Sequence, residues 1–138
     1  MVEHHADVVT LGPDVVDRVV LHARQAAPAE CCGLLLGNGS RIVDATPTRN
    51  VADNPTRFLI DAKDHIDGRR AARGRGLDVV GFYHSHPQSP AQPSARDRDE
   101  ASYPDHYYLI VSLLADPPEV RVFIPGDGTF REAVVGIE

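Results

Sequence analysis

Cysteine is scarce in this sequence, and the two residues that it has, Cys31 and Cys32, are adjacent. Neighbouring residues almost never form a structural disulfide, and a zinc site built on cysteines needs more thiols than the chain has. The sequence therefore argues against a disulfide-stabilised domain and a cysteine-based zinc site. We expect a reducing compartment, with at least one thiol buried as a small apolar side chain.

Long apolar runs and an excess of basic residues are also absent. No stretch approaches the ~20 apolar residues of a transmembrane helix, and the N-terminus lacks the core of a signal peptide. We therefore expect a cytoplasmic protein that does not associate with membranes. The 14 basic and 20 acidic residues give a net charge of −6, which disfavours general nucleic-acid binding. The length of 138 residues, with 42% hydrophobic and 25% charged residues, predicts one domain spanning 1–138.

Hydrophobic periodicity predicts two helices among several short strands. The first helix opens at Pro13 and ends before Pro28, and the second is capped by Asp61 and covers about 62–73. The predicted strands are an edge strand at 6–10, then 33–37, 41–46, 56–60, 77–84, 107–113, 120–124 and 130–135. Asn38-Gly39 predicts a hairpin turn, and the last two strands predict a closing hairpin. Helices placed between strands indicate an α+β fold, a sheet between two helices.

The most informative segment is His84-Ser85-His86-Pro87, followed by Asp97 eleven residues after the second histidine. Alternating residues of a strand face the same side, so His84 and His86 would present both imidazoles together. Pro87 ends the strand and places the rings at a strand end, where functional sites tend to lie. Two histidines and one carboxylate, with a fourth position for water, form a known catalytic zinc set.

Ser94 and Asp97 also have a structural interpretation. The segment from Ser94 to Asp97 resembles a capping box, in which the serine caps a helix and the acidic residue favours the helix N-terminus. We predict that Asp97 combines this role with metal binding only if its carboxylate turns towards the histidines rather than back onto the backbone.

Glu30 offers the acid–base group that a metal-bound water requires. It lies between the first helix and the apolar run 33–37, in a loop beside a predicted central strand. One carboxylate can accept the proton of the water and return it to a leaving nitrogen. Taken alone, Glu30 would instead be interpreted as an exposed loop acid.

These residues together resemble the signature of the JAMM/MPN+ metalloproteases. That signature is a Glu, then His-(Ser/Thr)-His-Pro, seven residues after the second His, and Ser-x-x-Asp. The matching residues are Glu30, His84-Ser85-His86-Pro87, Ser94 and Asp97, with 87–93 as the spacer. The segments 28–37, 50–60 and 107–122 also resemble small bacterial members, so the likeness covers most of the chain. It implies an α+β fold with a curved mixed β-sheet flanked by helices, the MPN/JAB1 (cytidine deaminase-like) fold.

The resemblance implies a zinc-dependent peptidase or isopeptidase. His84, His86 and Asp97 would hold one Zn²⁺, and Glu30 would transfer the proton of its bound water. Ser94 would donate a hydrogen bond to the developing oxyanion. The ligand set would also accept other divalent ions.

The resemblance also implies a substrate. Compact bacterial relatives resemble enzymes that cleave at the C-terminal Gly-Gly of a ubiquitin-like sulfur-carrier protein, for example in a carrier–cysteine adduct. Members that trim ubiquitin chains carry insertions, whereas this chain has short connections, which disfavours that specialisation. We expect the extended carrier tail to add to a sheet edge beside the metal. The sequence does not define the oligomeric state.

Three alternatives stay open from the sequence. A non-catalytic MPN-type scaffold would use the same fold to bind a partner, although such proteins typically lack a ligand. A different metallohydrolase, such as an amidohydrolase or phosphoesterase, also carries His-x-His motifs, but the barrel forms need about 250 residues. A nucleophilic mechanism would use Cys32 with a histidine such as His106. Ser85 is predicted to be structural, and His22, His65 and His106 are interpreted as residues without a site role.

Overall fold

The structure, a computed structural model, describes residues 7–100, 102–126 and 129–138, and their side chains except those of 98–100. The elements are β1 (Val8–Leu11), α1 (Val15–Ala26), β2 (Cys32–Asn38), β3 (Arg41–Thr48), α2 (Ala62–Gly74), β4 (Asp78–His86), α3 (Ala95–Glu100), β5 (Tyr107–Ser112), β6 (Glu119–Pro125), β7 (Phe130–Glu132) and β8 (Val134–Ile137). No helix in the described ranges is long and apolar enough to span a membrane.

The strands form one mixed sheet in the order β7-β6-β5-β4-β2-β3-β1-β8. β4 runs parallel to β5, and β1 runs parallel to both β3 and β8, while the other pairs are antiparallel. Only Ala133 separates β7 from β8, although these strands stand at opposite ends of the order. The sheet therefore curves until its two ends approach each other, which confirms the predicted curved mixed sheet flanked by helices.

The two faces of the sheet carry different helices. α1 packs into a buried cluster that contains Leu35 and Tyr83. α2 packs through Ala72 on the opposite face, in a cluster that contains Leu34 and Phe82. Leu34 and Leu35 are neighbours in β2, so their separation between the clusters follows from strand alternation. The sheet thus has an apolar core on each side, and the α2 side is the one that leads to the predicted site.

Both predicted helices are confirmed, and so is the cap of the second. The Asp61 side chain accepts a hydrogen bond from the Asp64 amide at 3.0 Å, as an N-cap does. The hairpin turn after β2 is confirmed as well, with Gly39 at a φ of 59° that an L side chain rarely adopts.

The predicted strand at 56–60 is wrong. In this segment only Ile60 pairs as in a sheet, through an isolated bridge to Asn50. The amide of Leu59 donates to the Asn50 side chain at 2.9 Å, and the amide of Arg57 donates to the Asn54 carbonyl at 3.1 Å. Side-chain and turn hydrogen bonds have replaced a strand ladder here, as Asn residues often allow.

Two other strand predictions need correction. The predicted strand 130–135 is divided at Ala133, whose amide still donates to Val122 of β6, after which β8 pairs with β1. The predicted edge strand 6–10 is Val8–Leu11 in the structure, and it is paired on both sides because closure of the sheet brings β8 against it. Residue 6 lies outside the described residues.

Candidate metal centre

The two histidines of the motif lie at the end of β4, where His84 is paired on both sides and His86 is paired with Ser112 of β5 alone. His84 stands opposite Cys32 of β2 and Ile110 of β5. Both histidines are buried, with 2% of His84 and 5% of His86 exposed. Strand alternation places both rings on one face of the sheet, as the sequence predicted, and in the structure this is the α2 face. Strand pairing therefore restricts the backbone at both histidines, more strongly at His84 than at His86.

The structure brings these histidines together with Asp97. The Nε2 atoms of His84 and His86 lie 3.2 Å apart, and the Asp97 Oδ2 atom lies 3.3 Å from the first and 3.1 Å from the second. Atoms that bind one tetrahedral zinc at 2.0–2.1 Å lie roughly 3.3 Å from one another. The spacing of the three atoms therefore fits a single divalent metal.

The hydrogen bond on the far side of His86 supports the same interpretation. Its Nδ1 atom lies 2.8 Å from the carbonyl oxygen of Pro90, and a carbonyl can only accept. In the neutral ring the proton is then on Nδ1, so that Nε2 presents a lone pair towards His84 and Asp97. Fixing of the ring by a carbonyl is the usual arrangement behind a metal-bound histidine.

Asp97 caps its helix and faces the histidines with the same oxygen. The Ser94 amide donates to Asp97 Oδ2 at 2.9 Å, and the Asp97 amide donates to the Ser94 hydroxyl oxygen at 3.0 Å. The predicted capping box is therefore present, and the prediction that the carboxylate must choose between backbone and histidines is wrong. Oδ2 contacts both the Ser94 amide and the two histidines, because the helix cap holds the carboxylate next to the imidazoles.

The electrostatics of the cluster favour a cation. Burial acts to raise the pKa of Asp97, but in the absence of a metal the two imidazoles, when they carry a proton at Nε2, and the hydrogen bond from the Ser94 amide hold this pKa well below its usual range. Burial acts to lower the pKa of His86, but the Asp97 carboxylate and the Pro90 carbonyl outweigh it and raise this pKa. A carboxylate that keeps its charge beside an imidazole that favours a positive charge is an environment suited to a metal ion.

Glu30 lies in the loop that enters β2, beside the cluster. It is half-buried, its amide donates to the Pro55 carbonyl at 3.0 Å, and its carbonyl accepts from the Asn50 side chain at 3.0 Å. The charge of Glu30 also contributes to the raised pKa of His86, so the carboxylate lies within electrostatic range of the cluster. The residue also lines a cavity of about 690 Å³ between α1 and the segment 48–55.

An aromatic groove adjoins the cluster on the α2 face, and the sequence reasoning missed it. The Phe58 ring stacks on His84 with 4.3 Å between centroids and 17° between planes. Phe58 and Tyr108 line both the wall beside His84 and a groove of about 440 Å³. The other residues of this groove are Leu59, Ile60, His65, Phe82, Ser102 and Tyr103. The groove depends on the irregular backbone of residues 56–60, and no periodic sequence pattern predicts that conformation.

Ser85 and the cysteines occupy structural positions. The Ser85 hydroxyl accepts from the Cys31 amide at 2.8 Å and is fully buried, as predicted for a residue facing away from the ligands. Both thiols are free and buried, and burial raises the pKa of Cys31 and of Cys32 to about 11. Cys32 is therefore a neutral thiol at pH 7, which argues against the Cys32–His106 mechanism.

His22 and His65, interpreted from the sequence as residues without a site role, are half-buried and hydrogen-bonded in the structure. His22 Nδ1 lies 2.7 Å from the Tyr83 hydroxyl, and His65 accepts from Arg69 Nε at 2.9 Å. Burial lowers the pKa of both imidazoles. These rings are half-buried because α1 and α2 pack them against β4, an effect of tertiary contacts that helix periodicity alone does not reveal.

Comparison with known proteins gives the same result as the geometry. The family model for prokaryotic homologs of the JAB domain matches residues 12–124. The desampylase of Haloferax volcanii is 39% identical over 94% of this chain and 96% of its own length. The CysO-cysteine peptidase of Mycobacterium tuberculosis is 33% identical over 94% of this chain and 91% of its own.

Solved structures agree with the fold. A protein from Desulfitobacterium hafniense is 32% identical, with a TM-score of 0.86 and coverage of 94% of this chain and 92% of its own. A JAB1/MPN domain protein from Archaeoglobus fulgidus has a TM-score of 0.65 over 94% of this chain and 98% of its own, and at 18% identity it supports the fold alone. The predicted resemblance to the JAMM/MPN+ group is thereby confirmed: the chain belongs to the family of prokaryotic homologs of the JAB domain.

Proposed function

We propose that this protein is a zinc-dependent peptidase or isopeptidase that cleaves an amide bond at the C-terminal Gly-Gly of a ubiquitin-like sulfur-carrier protein. The observation that carries the proposal is the convergence of two imidazole nitrogens and one carboxylate oxygen within 3.3 Å of one another, beside Glu30. The names of the relatives, a desampylase, a CysO-cysteine peptidase and a probable TtuB-protein conjugate cleaving protease, support this substrate class.

His84, His86 and Asp97 would hold the zinc ion. When bound, zinc supplies Lewis acidity, which lowers the pKa of a coordinated water to about 7. The ligands keep their orientation through bonds to the protein itself, from His86 to the Pro90 carbonyl and from Ser94 to Asp97. The site is thus prepared before the metal arrives.

Glu30 and Ser94 would carry out the proton transfer and the oxyanion stabilisation. Glu30 accepts the proton of the attacking water and then donates it to the leaving amine. The Ser94 hydroxyl oxygen accepts the Asp97 amide, so its own O–H can donate to the carbonyl oxygen of the substrate as negative charge develops there.

The aromatic groove would hold the carrier tail. It begins at Phe58, which stacks on His84, and continues over apolar side chains that include the exposed Leu59 and the half-buried Ile60. An extended tail lying along this segment would bring its terminal glycines past Phe58 to the metal ligands.

Metal content and conjugate cleavage together test the proposal. We expect close to one zinc per chain in the native protein and little in Asp97→Ala, with Asp17→Ala, an exposed position on α1, as the matched control. Mass spectrometry of a carrier–cysteine adduct, and of a carrier–lysine isopeptide, would then show the loss of the cysteine or of the lysine. A native protein that binds zinc but leaves both intact would refute this substrate. Failure to bind added zinc would favour the scaffold alternative.

The proposed working environment is the cytoplasm. Two free, buried cysteines are consistent with a reducing compartment. Neither nucleic acid nor a membrane is a proposed partner.

A further inference from the structure

The carboxamide of Asn50 makes four hydrogen bonds, which is unusual for a side chain in a loop. Its Nδ2 donates to the carbonyls of Glu30 and Arg57, both at 3.0 Å. Its Oδ1 accepts from the amides of Ala52 at 3.0 Å and Leu59 at 2.9 Å. Both protons and both lone pairs of the amide are therefore used within the protein.

These bonds link two parts of the candidate site that lie far apart in sequence. One partner is the backbone of Glu30, whose amide also donates to the same loop at Pro55, at 3.0 Å. The other partners belong to the segment that carries Phe58, whose ring stacks on His84. The loop from Asn50 to Ile60 therefore contacts Glu30 through Asn50 and Pro55, and it contacts His84 through Phe58.

We propose that Asn50 is a positioning residue that holds Glu30 in register with the metal centre through this loop. The expected effect of Asn50 on turnover rests on the proposed function. The structural link between Asn50 and Glu30 rests on the hydrogen bonds alone. Only an asparagine satisfies the geometry, because an aspartate has no protons to give the two carbonyls and a glutamine is one methylene longer. Asn50→Asp is therefore an isosteric test that removes two of the four bonds and places a carboxylate oxygen against the two carbonyls.

The matched control is Asn54→Asp. Asn54 lies in the same loop and is exposed, but its side chain only accepts, from the amide of Thr56 at 2.9 Å and from the hydroxyl of Thr56 at 2.8 Å. An aspartate keeps both of these bonds. The two variants thus introduce the same charge at nearby positions, and they differ in whether donors to Glu30 and Arg57 are lost.

Kinetics on the zinc-loaded protein form the first readout. We expect kcat of Asn50→Asp to fall about a hundredfold, because misplacement of a reacting group by about 1 Å has that effect. KM should change much less, zinc stoichiometry should stay near one, and Asn54→Asp should be close to native. In a Glu30→Asp background the same substitution should cost little, since a shortened carboxylate is already out of place. A native kcat in Asn50→Asp, or a full hundredfold loss in the Glu30→Asp background, would overturn the proposal.

Hydrogen exchange provides the second readout and needs no substrate. The Glu30 amide is bonded to Pro55 and not to Asn50, so its exchange reports the link rather than the substituted bond. We expect its exchange in Asn50→Asp to accelerate at least about tenfold, in step with the Leu59 amide, and to stay native in Asn54→Asp. Unchanged exchange at Glu30 would refute the link. If the native protein cleaves no conjugate, the proposed function fails, and this measurement still decides the role of Asn50.

Discussion

Two clusters on the α2 face of the sheet each contain a pair of imidazoles, and they differ in what stands between the rings. In the metal centre, His84 and His86 converge on the carboxylate of Asp97. In the second cluster, His65 accepts from Arg69 Nε at 2.9 Å, and His106 Nε2 lies 3.2 Å from another nitrogen of the same guanidinium. One pair surrounds an anion and the other surrounds a cation.

The difference shows in the direction of the pKa shifts. Burial and the Arg69 charge lower the pKa of both His65 and His106, whereas Asp97 overcomes burial and raises the pKa of His86. Arg69 supplies N–H donors and a positive charge to both neutral imidazoles, so the second cluster already contains its cation, although Nδ1 of His106 is buried without a hydrogen-bond partner among the described residues. The first has a carboxylate and two converging imidazole nitrogens, an arrangement suited to a bound cation.

The substitution with the largest expected effect, Glu30→Gln, tests whether hydrolysis takes place at the first cluster. Glu30→Gln removes the group that takes the proton of the water, and we expect turnover to fall about 10³-fold or more while zinc content stays native. Turnover is followed by mass spectrometry and zinc by elemental analysis. Glu132→Gln, at an exposed site on β7, should change neither. Full activity in Glu30→Gln would show that another residue transfers the proton.

Ser94 tests the oxyanion role with a somewhat smaller effect. Ser94→Ala should lower kcat about a hundredfold, because it removes a donor aimed at developing charge, and it also removes the acceptor of the Asp97 amide. Ser94→Thr keeps a hydroxyl for both purposes and should restore most of kcat. Should threonine fail to restore kcat while zinc binding is native in both variants, the hydroxyl would have no part in the reaction.

The histidines were predictable because the information is local. Two residues apart on one strand, His84 and His86 must share a face, and the capping spacing of Ser94 and Asp97 defines a helix start. The second cluster was not predictable, since Arg69 joins His65 of its own helix to His106 from the loop before β5. That contact depends on how α2 packs on the sheet.

The distinction between local patterns and tertiary contacts also explains the errors in the predicted fold. The predicted elements with clear periodicity, α1, α2, β4 and β5, appear near their predicted ranges. The segment 56–60 has a strand-like composition, but the Asn50 side chain takes its backbone groups. The division of the last strand at Ala133 follows from closure of the sheet between β8 and β1, which involves pairing across nearly the whole chain. Patterns within ten residues do not contain that information.

A substitution of Arg69 tests the second cluster, in which this residue contacts both His65 and His106. Arg69→Gln removes the positive charge between His65 and His106 and its contact over the Tyr103 ring. We expect the free energy of unfolding to fall by about 1–2 kcal/mol, measured by urea denaturation, with zinc content unchanged. Loss of zinc in this variant would mean that the two clusters depend on each other.

The smallest expected effect concerns pH. Burial first, then the charges of Arg69 and His65, lower the pKa of His106, although Asp105 opposes them. The unfolded chain, with a histidine pKa of about 6.5, then binds the proton more readily than the folded protein. Stability should therefore be constant above pH 6.5 and should decrease as the pH falls below it. His106→Gln keeps an oxygen that can accept from Arg69 but does not titrate.

In this variant we expect the loss of thermal stability between pH 6.5 and 5.5 to be smaller than in the native protein by roughly 2–4 °C. Metal-free protein must be avoided, because the raised pKa of His86 acts in the opposite direction there: its contribution is present below pH 6.5 and is lost as the pH rises through the folded value. With zinc bound, His86 no longer titrates in this range. The pKa of His22 is also lowered by burial, but His22 is present in both proteins, so the difference between their acid-side losses reports His106. Equal losses in the two proteins would show that His106 gains its proton without a cost from Arg69, and the contrast between the clusters would then rest on geometry rather than on charge.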